Sequence, residues 1–442
     1  MAITAPKGMR DMLPDEAAYW RSFQHDATDV FGCYGYVPID TPIVERTDLF
    51  VRGIGEATDV VSKEMFNVIS GENLSLLLRG GHLKSNKRLS LRPEGTAGVV
   101  RAVLQHDLVP QGAAPAKLMY AGPMFRAERP QEGRYRQFHQ IGVECLGADD
   151  PTIDAEGIVM CMRFFERIGL EADDIVLLVN SMGCEECRPA FRQKVLEFGK
   201  AHDGELCDDC RTRLDVNPLR TFDCKNEGCK AVMADAPVIS VNLCDSCREH
   251  YEEVLRLIEG AGIAYVEDPT LVRGLDYYSR TVFEVQVTSK DGAQNAIGGG
   301  GRYDKLASEV RGDGKASSDL PGFGFAIGYE RCKEALLRKG MGLPSAKGLD
   351  VFVACATDAG RAAAFGLAQG LRDAGISCDF DHQHRSLKSQ FKVADKSGAR
   401  FVIVLGDDEI AQGEATVRDM VGHGEERVPL SDAVARLELM LR

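Results

Sequence analysis

The chain lacks the net positive charge that would hold nucleic acid by itself. Its 53 Lys and Arg against 67 Asp and Glu leave −14 over 442 residues. Binding of a polyanion by bulk charge is excluded, while a local basic patch on an acidic body is not. No apolar run approaches the roughly 20 residues of a membrane span. Met1 to Pro14 has no apolar core of the signal-peptide kind, so a cytoplasmic protein is expected. Solenoid repeats and low-complexity stretches are absent, which excludes arrays and long disordered arms. Cysteine is the exception to this modest inventory. There are 14, and eight of them lie between Cys184 and Cys247. In a reducing compartment such a block reads first as metal ligation rather than as disulfides.

At roughly 150 residues per domain the length predicts about three domains. Asp15 to Phe31 has the spacing of an amphipathic helix, with Trp20, Phe23, Ala27 and Val30 on one face. Gly35 to Glu45 carries two prolines and alternates, which predicts an edge or extended segment. Glu94 to Gln105 reads as a helix. Leu118 to Ala127 and Arg134 to Cys145 read as two strands of a hairpin around the polar loop Glu128 to Gly133. Helix is predicted again over Ile153 to Ile168, and a buried strand over Ile175 to Val179. The cysteine block follows, then a helix over Tyr251 to Gly262, a strand over Thr281 to Val287, and strand, turn and helix over Gly322 to Cys332. From about Lys347 strands and helices alternate: Asp350 to Ala356, Ala359 to Ala374, Ile376 to Phe380, Ser386 to Ser397 and Arg400 to Leu405. That pattern predicts a small α/β domain.

The strand Arg134 to Glu144 is the most informative segment. Side chains two apart share a face, so Arg136, Phe138, Gln140, Gly142 and Glu144 lie together, with Gly142 leaving a gap in which a small ligand fits. A solvated sheet face has the same pattern. In LVRGLDYYSRTVFE, Arg273, Asp276, Tyr277 and Tyr278 could line a pocket for a ring, or be core tyrosines beside a surface ion pair. The run Gly298 to Gly301 offers backbone that a ligand can approach closely, or a flexible turn. It is no P-loop, because no Gly-Lys-Ser/Thr follows.

The eight cysteines come as Cys184-x-x-Cys187, Cys207-x-x-Cys210, Cys224-x4-Cys229 and Cys244-x-x-Cys247. Two such knuckles complete a four-thiolate zinc site, so the block has capacity for one or two structural Zn2+, with the pairing open. Unligated structural thiols are the alternative. His202 and His250 read as surface histidines. In the last domain Arg385, Lys388, Lys392 and Lys396 recur at helical spacing with Arg400 just beyond, a candidate phosphate-contact face or a merely solvated one.

Several of these segments together resemble the histidyl-tRNA synthetase family of class II aminoacyl-tRNA synthetases, over nearly the whole chain. GYVPIDTPIVE is similar to motif 1 of that class, FRAERPQEGRYRQFHQIGVE to motif 2 and GFGFAIGYER to motif 3. LRPEGT, LVRGLDYY and GGGRYD are similar to segments particular to the histidine enzymes, and DKSGARFVIVLGDDE to their anticodon-binding domain. The resemblance implies an α+β protein. An antiparallel-sheet catalytic domain would span 1–180 and 263–342, interrupted by a Cys-rich helical insertion over 181–262. An anticodon-binding α/β domain would follow over 347–442.

It also implies roles. Arg126 would clamp the ATP α-phosphate, Arg331 the γ-phosphate end, and Arg273 the α-phosphate from the other side, with Mg2+ sharing the charge. Gln140 borders the ATP site as well. Glu94, Thr96 and Gln140 would hold the histidine α-amino group. Glu144 and Tyr278, beside Tyr277, would hydrogen-bond the two imidazole nitrogens, a pairing that rejects apolar isosteres. Arg129, Gln131 and Arg136 would contact the acceptor end of tRNA-His, and Arg385, Lys388 and Lys392 its anticodon region. Motif 1 implies a homodimer. Many relatives lack the cysteine pairs, so the resemblance neither supplies nor removes zinc. Two other readings compete: a non-catalytic, synthetase-like regulatory subunit of histidine biosynthesis, which usually loses catalytic residues and the anticodon domain, and a zinc-ribbon nucleic-acid-binding protein, which would account for the cysteine block alone.

Overall fold

A computed structural model describes residues 3–56, 58–131, 133–288, 295–312, 319–342, 348–355 and 357–441. Glu132 of the predicted hairpin loop, Ala356 at the end of a predicted strand, and the join at 343–347 lie outside the described residues. Contacts divide the chain into two units, Met1–Pro344 and Ser345–Arg442.

The strands of the first unit are, in chain order, β1 (Val37–Pro38), β2 (Val44–Arg46), β3 (Asn67–Val68), β4 (Leu89–Leu91), β5 (Ala116–Phe125), β6 (Gln137–Leu146), β7 (Ile175–Ser181), β8 (Val266–Glu267), β9 (Ser279–Val287), β10 (Ala296–Arg302) and β11 (Gly322–Gly328). Eight of them form one sheet in the order β1-β5-β6-β11-β10-β9-β7-β8, and β2-β4-β3 form a small one. The six central strands of the large sheet are antiparallel, while the short edge strands β1 and β8 pair parallel.

One face of this sheet is apolar because Ile141, Val143, Phe283, Val285, Phe323 and Phe325 all turn to it, and helices cover it. The helix Pro14–Gly32 starts at a proline, which costs no intrahelical hydrogen bond at that position. It buries Tyr19, Phe23, Ala27 and Phe31. The expected face was rotated by about one residue from this one: Trp20 and Val30 only flank the core. The helix Pro151–Arg167 is capped by Asp150, whose carboxylate accepts from the Thr152 N–H at 2.9 Å. Against it packs the helix Asp245–Gly260 through Tyr251, Val254 and Ile258. Each fully buried aromatic of this layer contributes roughly 1.5–3 kcal/mol of transfer free energy.

The glycine run departs from expectation. Gly298 to Gly301 is neither a turn nor a loop but the middle of β10, hydrogen-bonded on both sides. A side chain at Gly300 would collide with the Gly324 carbonyl, and one at Gly301 with the Thr281 carbonyl. The glycines therefore let three strands approach closely. His250 also departs: it is 6% exposed, and its Nε2 lies 2.8 Å from Asp154. Asp154 in turn accepts Nε of the fully buried Arg302 at 3.0 Å, joining two helices to β10. His202 is half-buried, with Nδ1 2.9 Å from the Phe198 carbonyl.

The second unit has the strands β12 (Val351–Cys355), β13 (Cys378–Phe380), β14 (Phe401–Leu405), β15 (Glu414–Asp419) and β16 (Glu425–Pro429), in the order β13-β12-β14-β15-β16. β13, β12 and β14 are parallel, as the alternating strands and helices predict. Val351, Val353, Phe401 and Ile403 fill one face, and Phe352, Ala354 and Val402 the other. Burial on both faces is why these strands read as unbroken apolar runs. The basic helix starts at Leu387, so Arg385 lies before it rather than on its face. Arg385 is held there by Asp381, Nη1 to Oδ1 at 3.0 Å. Lys388, Lys392, Lys396 and Arg400 are exposed.

Candidate active site

The polar face of the large sheet forms a cavity of about 330 Å3. β5 and β6 wall one side, β10 and β11 form the floor, and the segment Arg273 to Tyr278 closes the other side. Arg126, Arg273, Arg331, Glu94, Thr96, Gln140, Tyr277 and Tyr278 all line it. Eight of the nine residues expected to serve histidine and ATP therefore converge from five separate stretches of chain.

Glu144, the ninth, stands behind the wall. It is fully buried, and its Oε1 accepts from the Thr96 hydroxyl at 2.7 Å while Oε2 accepts from the Tyr303 hydroxyl. Burial pushes the Glu144 carboxyl up to about 8, against the opposing pull of the Tyr303 and Thr96 hydrogen bonds. Near neutral pH this group holds a proton. The expected gap at Gly142 is also closed. Tyr120 sits opposite Gly142 in the β5–β6 register, and its ring fills the space a Cβ would take. The glycine thus admits a tyrosine from the neighbouring strand rather than a ligand, and Tyr120 joins the cavity wall.

Glu94 lines the cavity and also caps the helix Thr96–Gln105, accepting from the N–H groups of Thr96 at 2.7 Å and Ala97 at 3.0 Å. Burial raises its carboxyl above the ordinary range, although those two bonds lower it. Oε1 of Gln140 is buried without a hydrogen-bond partner. Such an acceptor is costly to leave unmet, and it suits an incoming N–H donor.

The three arginines are held differently. Arg126 donates Nε to the Pro93 carbonyl at 3.1 Å and lies over the Phe138 ring at 5.4 Å. Among the described residues no carboxylate lies within ion-pair distance of it. Arg273 pairs with Glu284 at 2.5 Å, and its Nε is buried without a hydrogen-bond partner. Arg331 donates Nη1 to the Ala296 carbonyl at 2.7 Å and Nε to Gly133 at 3.3 Å, bridging β10 to the hairpin loop. Three guanidinium groups facing one cavity form a site for a polyanion.

The hairpin loop carries Arg129 and Gln131, both exposed. Arg136 does not enter the cavity. Its Nε donates to the Glu128 carbonyl at 3.1 Å and its backbone N–H to Gly8, so it ties down the loop, and Arg134 lines the cavity instead. Sequence reasoning missed Tyr120, Tyr303, Arg134, Glu284 and Glu330 as lining residues. Alternation along β5 pointed to Tyr120 only through its pairing partner. Tyr303 lay within GGGRYD but was read for backbone alone.

The eight thiols gather into two separate clusters: Cys184, Cys187, Cys244 and Cys247 in one, and Cys207, Cys210, Cys224 and Cys229 in the other. The first pair thus meets the fourth and the second meets the third. None is in a disulfide.

Known proteins resemble this chain over its whole length. The histidyl-tRNA synthetase family profile matches residues 8–332, and an anticodon-binding domain profile matches 350–439. The histidine–tRNA ligase of Halothermothrix orenii is 43% identical over 441 residues, covering 100% of both chains. That of Pelotomaculum thermopropionicum is 44% identical over 438 residues, covering 99% of this chain and 98% of its own. The structure of apo Staphylococcus aureus histidyl-tRNA synthetase is 33% identical and superimposes with a TM-score of 0.80, covering 99% of this chain and 100% of its own. With the profile over residues 8–332 and relatives at 43–44% identity over the full length, the chain belongs to the histidyl-tRNA synthetase family.

Proposed function

We propose that this protein is a histidine–tRNA ligase whose reaction runs in the cavity between β6 and the Arg273 to Tyr278 segment. In the first step a carboxylate oxygen of L-histidine attacks the α-phosphorus of ATP. The bond from that phosphorus to the bridging oxygen breaks, giving histidyl-adenylate and pyrophosphate. In the second, a hydroxyl of the terminal ribose of tRNA-His attacks the acyl carbon, and AMP leaves. No protein nucleophile is required, because positioning and charge do the catalysis.

The convergence of Arg126, Arg273 and Arg331 on one cavity carries this reading. Arg126 and Arg273 are proposed to flank the α-phosphate and Arg331 to hold the γ-phosphate end. Mg2+ accompanying ATP would supply further neutralisation, and the lining carboxylates of Glu128 and Glu284 would be its oxygen donors. The histidine ammonium would meet Gln140 Oε1, Glu94 and Thr96. Tyr278 and Glu144 would serve the two imidazole nitrogens. A protonated Glu144 can donate as well as accept, and a neutral imidazole needs one partner of each kind. Because Glu144 stands behind Thr96 and Tyr303, it would serve the ring through their hydroxyls, which line the cavity and donate to it.

For tRNA, the exposed Arg129 and Gln131 on the hairpin loop and Lys388 and Lys392 on the basic helix are the proposed contacts, with Arg136 and Arg385 acting by bracing these segments. Residues 181–262 act as an inserted subdomain holding structural Zn2+. A homodimer would cover the motif 1 segment, where Val37 is 55% and Ile43 42% exposed. No helix among the described residues is long and apolar enough to cross a membrane. A regulatory subunit is disfavoured because all three arginines and a unit matching an anticodon-binding domain are present.

The test is ATP–pyrophosphate exchange with each amino acid in turn. Exchange is expected with histidine alone, and Arg273→Ala should lower it by at least about a hundredfold, as loss of a charge-stabilising donor does. Exchange that ignores histidine would refute the assignment.

A further inference from the structure

We infer that the insertion binds two zinc ions in a nested arrangement and that both sites brace the histidine-pocket loop. Zn–S bonds of about 2.3 Å at tetrahedral angles set sulfur–sulfur edges of about 3.8 Å. In the outer cluster Cys184 Sγ lies 3.8 Å from Cys187 and 3.8 Å from Cys244, and Cys187 lies 3.9 Å from Cys247. In the inner cluster Cys207 lies 3.8 Å from Cys224. These are tetrahedral edges, far beyond the roughly 2.05 Å of a disulfide. Backbone N–H groups also point at the sulfurs, Cys184 to Cys187 at 3.1 Å and Cys207 to Cys229 at 3.2 Å. Such donors stabilise thiolates. Gly183, at φ +64, leaves room for Cys187 that a side chain would fill. Four sulfurs with no histidine or open position favour a closed structural site.

Each cluster then connects to the pocket loop through one arginine. Arg188 follows Cys187 directly. Its guanidinium donates to the carbonyls of Met182 at 3.2 Å, Gly183 at 3.4 Å and Tyr278. Arg220 lies between Cys210 and Cys224. It donates Nη2 to Asp276 at 3.1 Å, beside Asn217, which donates to the same oxygen at 3.1 Å. Asp276 and Tyr278 belong to the loop that presents Arg273 and Tyr277 to the cavity. Short metal-stapled segments thus take the place of a large core in this insertion, whose own apolar cluster is small. Arg188 and Arg220 are positioning residues.

The pocket half of this inference rests on the ligase reading; the metal half does not. Metal content of the full chain by mass spectrometry should give about two zinc per chain. Cys184→Ser with Cys244→Ser, and separately Cys207→Ser with Cys210→Ser, should each leave about one. Should a serine variant fail to fold, cobalt added to zinc-stripped wild type should give the absorption of two tetrahedral tetrathiolate sites. Arg188→Ala and Arg220→Ala should keep two zinc yet raise the histidine KM about tenfold, with ATP KM nearly unchanged and faster hydrogen exchange over 271–278. Lysine in place of either arginine should restore part of the loss. About one metal per chain or fewer in the wild type, iron in place of zinc, or cluster variants that lose both ions together would overturn the two-site assignment. Arginine variants with unaltered histidine KM and exchange would overturn the bracing. If wild type shows no histidine-dependent exchange, the ligase reading fails while the zinc count still stands.

Discussion

Glu144 is a carboxyl group that the fold keeps neutral. It sits at 0% exposure between Thr96 and Tyr303, with burial raising it from 4.5 to about 8. A folded state that keeps a proton the unfolded chain releases gains nothing from it below pH 4.5. From there stability falls as pH rises, and the penalty is complete above about 8. The ceiling on this term is about 5 kcal/mol. Glu144→Gln, which mimics the neutral acid, should therefore show a flatter decline of urea-unfolding free energy between pH 5 and 8 than wild type. Parallel curves would show that Glu144 ionises normally. Tyr120 makes the complementary point about sterics. It occupies the space over Gly142 that the strand pattern alone assigns to a ligand, because a pairing partner decides what a missing side chain is for.

Asp154, Arg302 and His250 show how elements are joined where the sheet faces its helices. Burial alone would raise the Asp154 carboxyl, but His250 and Arg302 hold it below the ordinary range. The group belongs to Pro151–Arg167, reaches β10 through Arg302, and reaches Asp245–Gly260 through His250. Removing the carboxylate leaves a guanidinium buried at 0% exposure with only the more distant Asp304 as counter-charge. Asp154→Ala should cost about 3–5 kcal/mol, read as a lowered midpoint in chemical unfolding. A loss under about 1 kcal/mol would mean that Arg302 finds solvent or the Asp304 carboxylate, now 3.3 Å away, instead. β10 itself joins by absence: its glycines carry no side chain to hold three strands apart.

Charge and exposed apolar surface act over the whole molecule. With a net −14, affinity for a polyanion must be local, and Lys388, Lys392 and Lys396 form such a patch on the second unit. Val37 on the edge strand β1, and Ile43 and Val44 close by in sequence, are exposed apolar residues of the motif 1 segment, which the proposed homodimer would cover. Val37→Asp with Ile43→Asp should shift the protein from dimer to monomer in light scattering. An unchanged mass would place the dimer contact elsewhere, and a monomeric wild type would remove it.

Helix and strand identities were legible in the chain because hydrophobic periodicity and Pro and Gly punctuation are local properties. The motifs told which residues would meet, since a resemblance carried by separate segments along nearly the whole chain leaves little freedom in topology. The four cysteine pairs announced metal capacity by spacing alone. Only tertiary structure decided the rest: that the first cysteine pair joins the fourth, that Gly142 makes room for Tyr120, that the glycine run is a strand, and that Glu144 lies behind Thr96 and Tyr303. Each of these depends on which distant segments become neighbours, and local sequence carries no record of a neighbour that folding brings from far along the chain.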